Sequence, residues 1–210
     1  MAGHSTVLTD DSLLSQLDQS LLRIERLLAL VSGLAVFSLM IMAVISVGGR
    51  NLFNAPLPGY VDWIEQAMPL IAFMGVSYVQ REGGHIRMDL LISQLKGRAL
   101  WFVELLTTSL ILLLMIALVW GSWAHFDRSF DFNAPMWSRD SSIDIGIPIW
   151  PAKLLAPVAF SVLCVRLVLQ IIGYFKALWT GDPNPVGVPL IQSTADQAAA
   201  EADQLQQDET

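Results

Sequence analysis

The chain has 210 residues, 54% of them hydrophobic and 15% charged, with a mean hydropathy of +0.54, a balance that excludes an ordinary soluble domain. Its formal charge of −7 is concentrated at one end, where Asp182, Asp196, Glu201, Asp203, Asp208 and Glu209 follow Thr180 without a single Lys or Arg. The remainder is near neutral and lacks the clustered cations that phosphate contacts need, so nucleic acid is excluded as a partner.

In chain order, residues 1–20 are expected to form a tail and an amphipathic start. Leu13, Leu14, Leu17, Leu21, Ile24 and Leu28 recur at helical spacing, with Asp10 or Asp11 positioned to cap the helix. Two forms stay open: an interfacial helix running into a first span, or one long first helix projecting from the bilayer. Leu27 to Val47 contains no charged residue and predicts a span over about 27–48, roughly the 20 residues needed to cross a hydrocarbon core. No apolar core of a signal peptide precedes it, so this span is expected to direct insertion itself.

Gly48-Gly49-Arg50 and Asn54-Ala55-Pro56-Leu57-Pro58-Gly59 predict a turn. A second span is expected over 60–81, kinked at Pro69. Gly83-Gly84 suits a helix C-terminus. Met88, Leu91, Ile92 and Leu95 then predict a short amphipathic helix on the membrane surface. The third span covers 99–124. An aromatic and polar loop follows to Ile147-Pro148-Ile149-Trp150-Pro151, a stiff entry into a fourth span over 149–175. Cys164, the single cysteine, lies in that span as a small filler. Residues 179–210 lack the apolar content for a core and predict a disordered acidic tail. The fold class is therefore an all-α membrane protein, with a transmembrane domain of four helices over 21–178 and one short interfacial helix.

Cations near span ends report the cytoplasmic side. Arg23, Arg26, Arg81, Arg87, Lys96, Arg98, Arg166 and Lys176 fall on one side, against Arg50, Arg128, Arg139 and Lys153 on the other. Both termini and the 81–98 loop are thus expected in the cytoplasm. Trp63, Trp120, Trp123 and Trp150 at the outer ends, and Trp101 and Trp179 at the inner ends, agree with the preference of indole for the interface.

Ionisable residues within the spans are the natural candidates for function, because burying them unpaired is costly. Glu65 lies about 7 Å along the helix from Tyr60. Its readings are a carboxylate favoured by the helix N-terminus, an ion pair with Lys153, or a substrate or cation contact. Glu104 has Arg166 or Arg81 as potential partners. Spans one and three have uncharged centres and suit lipid; spans two and four carry charges, prolines and glutamines and suit protein contacts. His85 and His125 fall on opposite sides and cannot share one haem. Neither a metal-spaced Cys/His cluster, a phosphate loop nor a nucleophile elbow occurs, so no catalytic residue, cofactor or metal is expected.

The turn Arg81-Glu82-Gly83-Gly84-His85-Ile86-Arg87-Met88-Asp89, preceded by Glu65 and Gly75 and followed by Pro148 and Trp150, resembles the DctQ-type small permease subunit of TRAP transporters, the tripartite ATP-independent periplasmic transporters of bacteria and archaea. Arg81, Gly83, His85 and Asp89 fit that family's R-x-G-x-H-x-x-x-D pattern, and the likeness runs from about Leu21 to Phe175. The resemblance implies a non-catalytic subunit of the cytoplasmic membrane. Its implied partners are a large multi-span permease, a periplasmic solute-binding protein and the surrounding lipid, and its implied role is in sodium-driven uptake of an organic acid. It implies that Arg81, His85 and Asp89 hold the inner turn. Asp127, Asp131, Arg139 and Asp140 of the outer loop become candidate docking residues for the binding protein. A membrane anchor of a redox complex, or a small transporter acting alone, are the competing readings.

Overall fold

The computed structural model describes residues 7, 8, 10, 12–82, 98–181, 187 and 188. The described residues form five α-helices and no extended strand: α1 (Leu13–Phe53), α2 (Tyr60–Phe73), α3 (Val76–Arg81), α4 (Arg98–Ser129) and α5 (Trp150–Thr180). Three of them, α1, α4 and α5, are long and apolar enough to cross a membrane.

Helix α1 runs unbroken for 41 residues, about 60 Å. Its cap is Ser12, not Asp10 or Asp11: the Ser12 hydroxyl accepts from the Ser15 amide at 3.3 Å, and Asp10 accepts from the Ser12 amide instead. The helix ends at Asn54, whose left-handed conformation (φ 55°) turns the chain back so that the Ala55 amide reaches the Gly49 carbonyl at 3.2 Å. Gly49 is required there, since a Cβ would sit 2.7 Å from the Ala55 oxygen.

The expected continuous helix over 60–81 is interrupted. Helix α2 stops at Phe73, and α3 resumes at Val76 after a turn at Met74–Gly75. Pro69 withholds one amide within α2. At the interruption the Ile71 carbonyl takes a hydrogen bond from the Ser32 hydroxyl of α1 at 3.2 Å. A neighbouring helix thereby satisfies a backbone group that the break sets free. The surface helix expected after the glycine pair lies outside the described residues.

Helix α5 is the central element and touches α1, α2, α3 and α4. Helix α4 packs along it, while α1 lies against α2 and α3. The C-terminal end of α1, the start of α2, the end of α4 and the start of α5 gather at one end of the molecule, where Asp62 of α2 binds the 142–145 loop. At the other end Arg81 of α3 meets Asp18 of α1, and Trp101 of α4 stacks on Tyr174 of α5 with ring centroids 6.1 Å apart. Val188 is buried in that second cluster beside Ala177, and the Gly187 amide donates to the Leu8 carbonyl.

Burial runs opposite to that of a water-soluble bundle. Leu34, Phe37, Val44, Leu110, Leu113, Ile116 and Trp120 are exposed, whereas Ser15, Asp18, Glu25, Thr108, Arg166 and Gln170 are buried. In lipid the apolar surface needs no cover, and the polar groups must find each other inside. Ser20, Ser38, Ser109, Ser122 and Ser161 follow the same rule, each donating its hydroxyl to the carbonyl four residues back.

Candidate functional site

Two polar constellations organise the molecule. The first joins α1, α3 and α5. Asp18 and Glu25 are two turns apart on α1 and so lie on one face, and both are buried. Arg166 of α5, with no exposed surface, reaches both: its Nε and Nη2 fork onto the two Glu25 oxygens at 2.8 and 2.6 Å, and its Nη1 bonds Asp18. Arg81 of α3 donates from Nη2 to Asp18 Oδ2 at 2.8 Å and from Nη1 to Glu82 Oε1 at 2.9 Å. Ser77 donates to Glu25 at 2.5 Å. One turn further, Gln80 Nε2 donates to the Gln170 side-chain oxygen at 2.9 Å.

The two fully buried carboxylates, Asp18 and Glu25, thus cancel the two guanidinium groups, and the partly exposed Glu82 adds a third carboxylate at the edge of the cluster. That balance makes burial tolerable, since an isolated charge in such surroundings costs several kcal/mol or more, while forked, fully bonded pairs recover it. Arginine holds its proton under all ordinary conditions. A cluster built on two arginines fixes helix positions and is not suited to relay protons.

The second constellation is the loop between α4 and α5, together with the start of α2. Asp62, in the first turn of α2 and buried, accepts from the Ser142 hydroxyl (2.6 Å) and from the amides of Ile145 (2.8 Å) and Asp144 (3.2 Å). Gln66, one turn on, donates to the Pro148 carbonyl at 2.8 Å. Within the loop Asp140 accepts from Lys153 Nζ (2.7 Å) and the Ser129 hydroxyl (3.0 Å), and Arg139 donates to Asp131 at 3.1 Å. Lys153 first, and Ser129 after it, hold the Asp140 carboxyl below the usual carboxylate range. The Asn133 amide, then Arg139, do the same for Asp131. Met136 and Trp137 both adopt left-handed backbone (φ 55° and 58°), a strained pair for residues with side chains. The Trp150 indole pins them by donating to the Met136 carbonyl at 3.1 Å, and the Asp131 amide donates to that of Trp137. Phe130 packs edge-on against Trp150 at 5.4 Å beneath.

Set against the expectations, Lys153 pairs with Asp140, not with Glu65, which is exposed on α2. Arg166 pairs with Asp18 and Glu25, not with Glu104. The reason is rotational: Arg166 faces α1 and α3, and the α1 carboxylates fill its fork. Glu104 is buried on α4. Gly75 lies at the α2–α3 interruption, and Asp127 is exposed in the last turn of α4. Gly83, Gly84, His85 and Asp89 lie outside the described residues. Asp18, Glu25 and Asp62 went unread in the sequence. The first two carried a signal, a seven-residue spacing on one helix face; Asp62 carried none, because its partners lie 80 residues away. Among the described residues no group of three His, Cys, Asp or Glu side chains is arranged to hold a metal.

No curated protein matches the chain. A family model described as "Tripartite ATP-independent periplasmic transporters, DctQ component" matches residues 39–177, about two-thirds of the length and the region that holds α2 to α5. On that match the chain belongs to the DctQ family, the small membrane components of the tripartite ATP-independent periplasmic transporters.

Proposed function

We propose that the chain is a static brace in its transporter. It pairs with a large multi-span permease in the cytoplasmic membrane and offers an outer surface on which a periplasmic solute-binding protein docks, in sodium-driven uptake of an organic acid. In this reading α2 and α3 together make a fourth crossing, second in chain order, and both termini are cytoplasmic. The observation that carries it is the neutral Asp18–Glu25–Arg81–Arg166 cluster, which spends the buried charges of three helices on each other. A subunit that moved solute or ions would keep such groups facing a pathway. The apolar girth of α1 and α4 supports a scaffold bathed in lipid. For docking, the reading rests on the outer loop, where Asp127 is exposed and Phe132, Trp137 and Ile143 present apolar surface around the Asp131–Arg139 and Asp140–Lys153 pairs.

Mild detergent purification followed by mass analysis tests the pairing: a large polytopic subunit is expected to co-purify, and vesicles holding this chain alone are expected to accumulate no organic acid. Solute accumulation by the lone chain refutes the brace. In the two-subunit complex, D127K is expected to weaken capture of the binding protein while the subunits stay together.

A further inference from the structure

A cleft of about 290 Å³ opens where the end of α1, the 54–59 turn, the start of α2 and the outer loop meet. Ser46 and Arg50, one helical turn apart on α1, line one wall; Tyr60 and Val61 of α2 line another; Asp144 closes it from the loop. The cleft brings together polar groups that nothing else in the described structure engages. Arg50 and Asp144 are both exposed, and neither side chain forms a hydrogen bond or ion pair. Ser46 is only 7% exposed, yet unlike Ser20, Ser38 and the other helix serines cited above it makes no bond to the carbonyl four residues back. The Ser46 hydroxyl is therefore left available to a ligand that enters the cleft.

The charges are arranged as a dipole. A guanidinium and an aspartate share one small cleft without meeting each other, so a ligand with one anionic and one cationic group matches both. Depth narrows the choice. Arg50 lies in the last turn of a helix whose preceding surface, Val44 and Val47 among it, is apolar and exposed, and Val61 continues that surface on α2. Headgroups therefore lie at the level of Arg50, and acyl chains have an apolar track running inward from the cleft.

We propose that this cleft binds the headgroup of a zwitterionic phospholipid carrying a primary ammonium, with phosphate on Arg50 and the Ser46 and Tyr60 hydroxyls and ammonium on the Asp144 carboxylate. A guanidinium forks onto two phosphate oxygens, and hydroxyls complete their coordination. The carboxylate accepts from an ammonium N–H, which a quaternary choline lacks. The volume lies at the small end for ligand sites and suits a headgroup, with the chains left outside. This inference does not depend on the transporter role; it requires only that the Arg50 end of α1 lie at a bilayer surface.

The test is native mass spectrometry of the full chain, released from nanodiscs holding equal parts of phosphatidylethanolamine, phosphatidylcholine and phosphatidylglycerol. Wild-type chain is expected to retain one phosphatidylethanolamine in preference to the other two. R50Q is expected to lower that retention about tenfold, the loss of one charge-assisted contact. D144N is expected to erase the preference over phosphatidylglycerol while lipid is still retained. Far-ultraviolet circular dichroism of both variants checks that helicity is unchanged. Glycerophosphoethanolamine and inorganic phosphate, added as competitors, separate the sources: displacement by the first alone supports a zwitterionic headgroup site, whereas equal displacement by phosphate makes it a plain anion site and overturns the proposal. Unchanged lipid selectivity in R50Q and D144N also overturns it.

Discussion

The charge cluster joining α1, α3 and α5 and the ion pairs of the α4–α5 loop use the same chemistry in different surroundings. In the cluster Arg166 and Glu25 have no exposed side-chain surface, whereas in the loop Arg139 and Asp140 are about half exposed. Water can replace a partner lost from the loop but not one lost from the cluster. The comparison teaches that pair geometry is a poor guide to energetic weight: the exposed Lys153–Asp140 contact at 2.7 Å falls between the buried Arg166–Glu25 (2.6 Å) and Arg81–Asp18 (2.8 Å) contacts. What ranks the pairs is whether solvent stands ready to take over.

The largest expected effect breaks this comparison at its strong end. R166M leaves Asp18 and Glu25 buried beside a single remaining guanidinium, and unfolding in mixed micelles should show a loss of about 3–5 kcal/mol. The double variant E25Q/R166Q restores neutrality and is expected to lose less than the sum of its single changes. Equal losses for R166M and for any loop variant would collapse the distinction.

An intermediate effect is expected at Asp62, which is buried on α2 and holds the loop through three hydrogen bonds. D62A removes the shared acceptor of the Ser142 hydroxyl and two amides. Hydrogen exchange at the Ile145 amide should accelerate about tenfold, the equivalent of one lost hydrogen bond, while exchange in α4 stays unchanged. Acceleration throughout α4 would mean that loop and spans open as one unit.

The smallest effect belongs to the exposed pairs. K153M should raise loop cleavage by a protease about twofold or less, and high salt should bring wild type to the same rate. The carboxyls of Asp140 and Asp131 are held below their ordinary range, so the folded loop binds fewer protons than the unfolded one. Its stabilisation is then complete at neutral pH and is lost as pH falls below about 4, through the folded values. Protease susceptibility against pH reads this directly, and D140N should flatten the acid limb.

The apolar runs at Leu27–Val47 and Leu105–Ala124 and the stiff entry at Pro148–Pro151 were legible because each is local. A stretch of that length without charge has few alternatives to a helix in lipid. The turn motif ending at Asp89 was legible as a family pattern, and the match over residues 39–177 agrees with it. The partners of Arg166 were not legible. Glu104 and Glu25 are equally plausible in a linear reading, and the choice depends on the rotation of α5 about its axis and the lateral position of α1. The interruption at Met74–Gly75 was hidden for a related reason. Pro69 announces a weak point, but where the helix yields depends on which neighbour can satisfy the freed carbonyls, and that neighbour is Ser32, 39 residues away.

By itself, the sequence determined that this is a helical membrane chain, where its long apolar helices run and to which family it belongs, because hydrocarbon length and backbone satisfaction act on contiguous residues. Tertiary structure alone decided that Arg166 answers Asp18 and Glu25, that Asp62 anchors a loop 80 residues away, and that Arg50 and Asp144 line one cleft. These depend on direction in space, and a polar group buried from water takes whichever partner the packing presents.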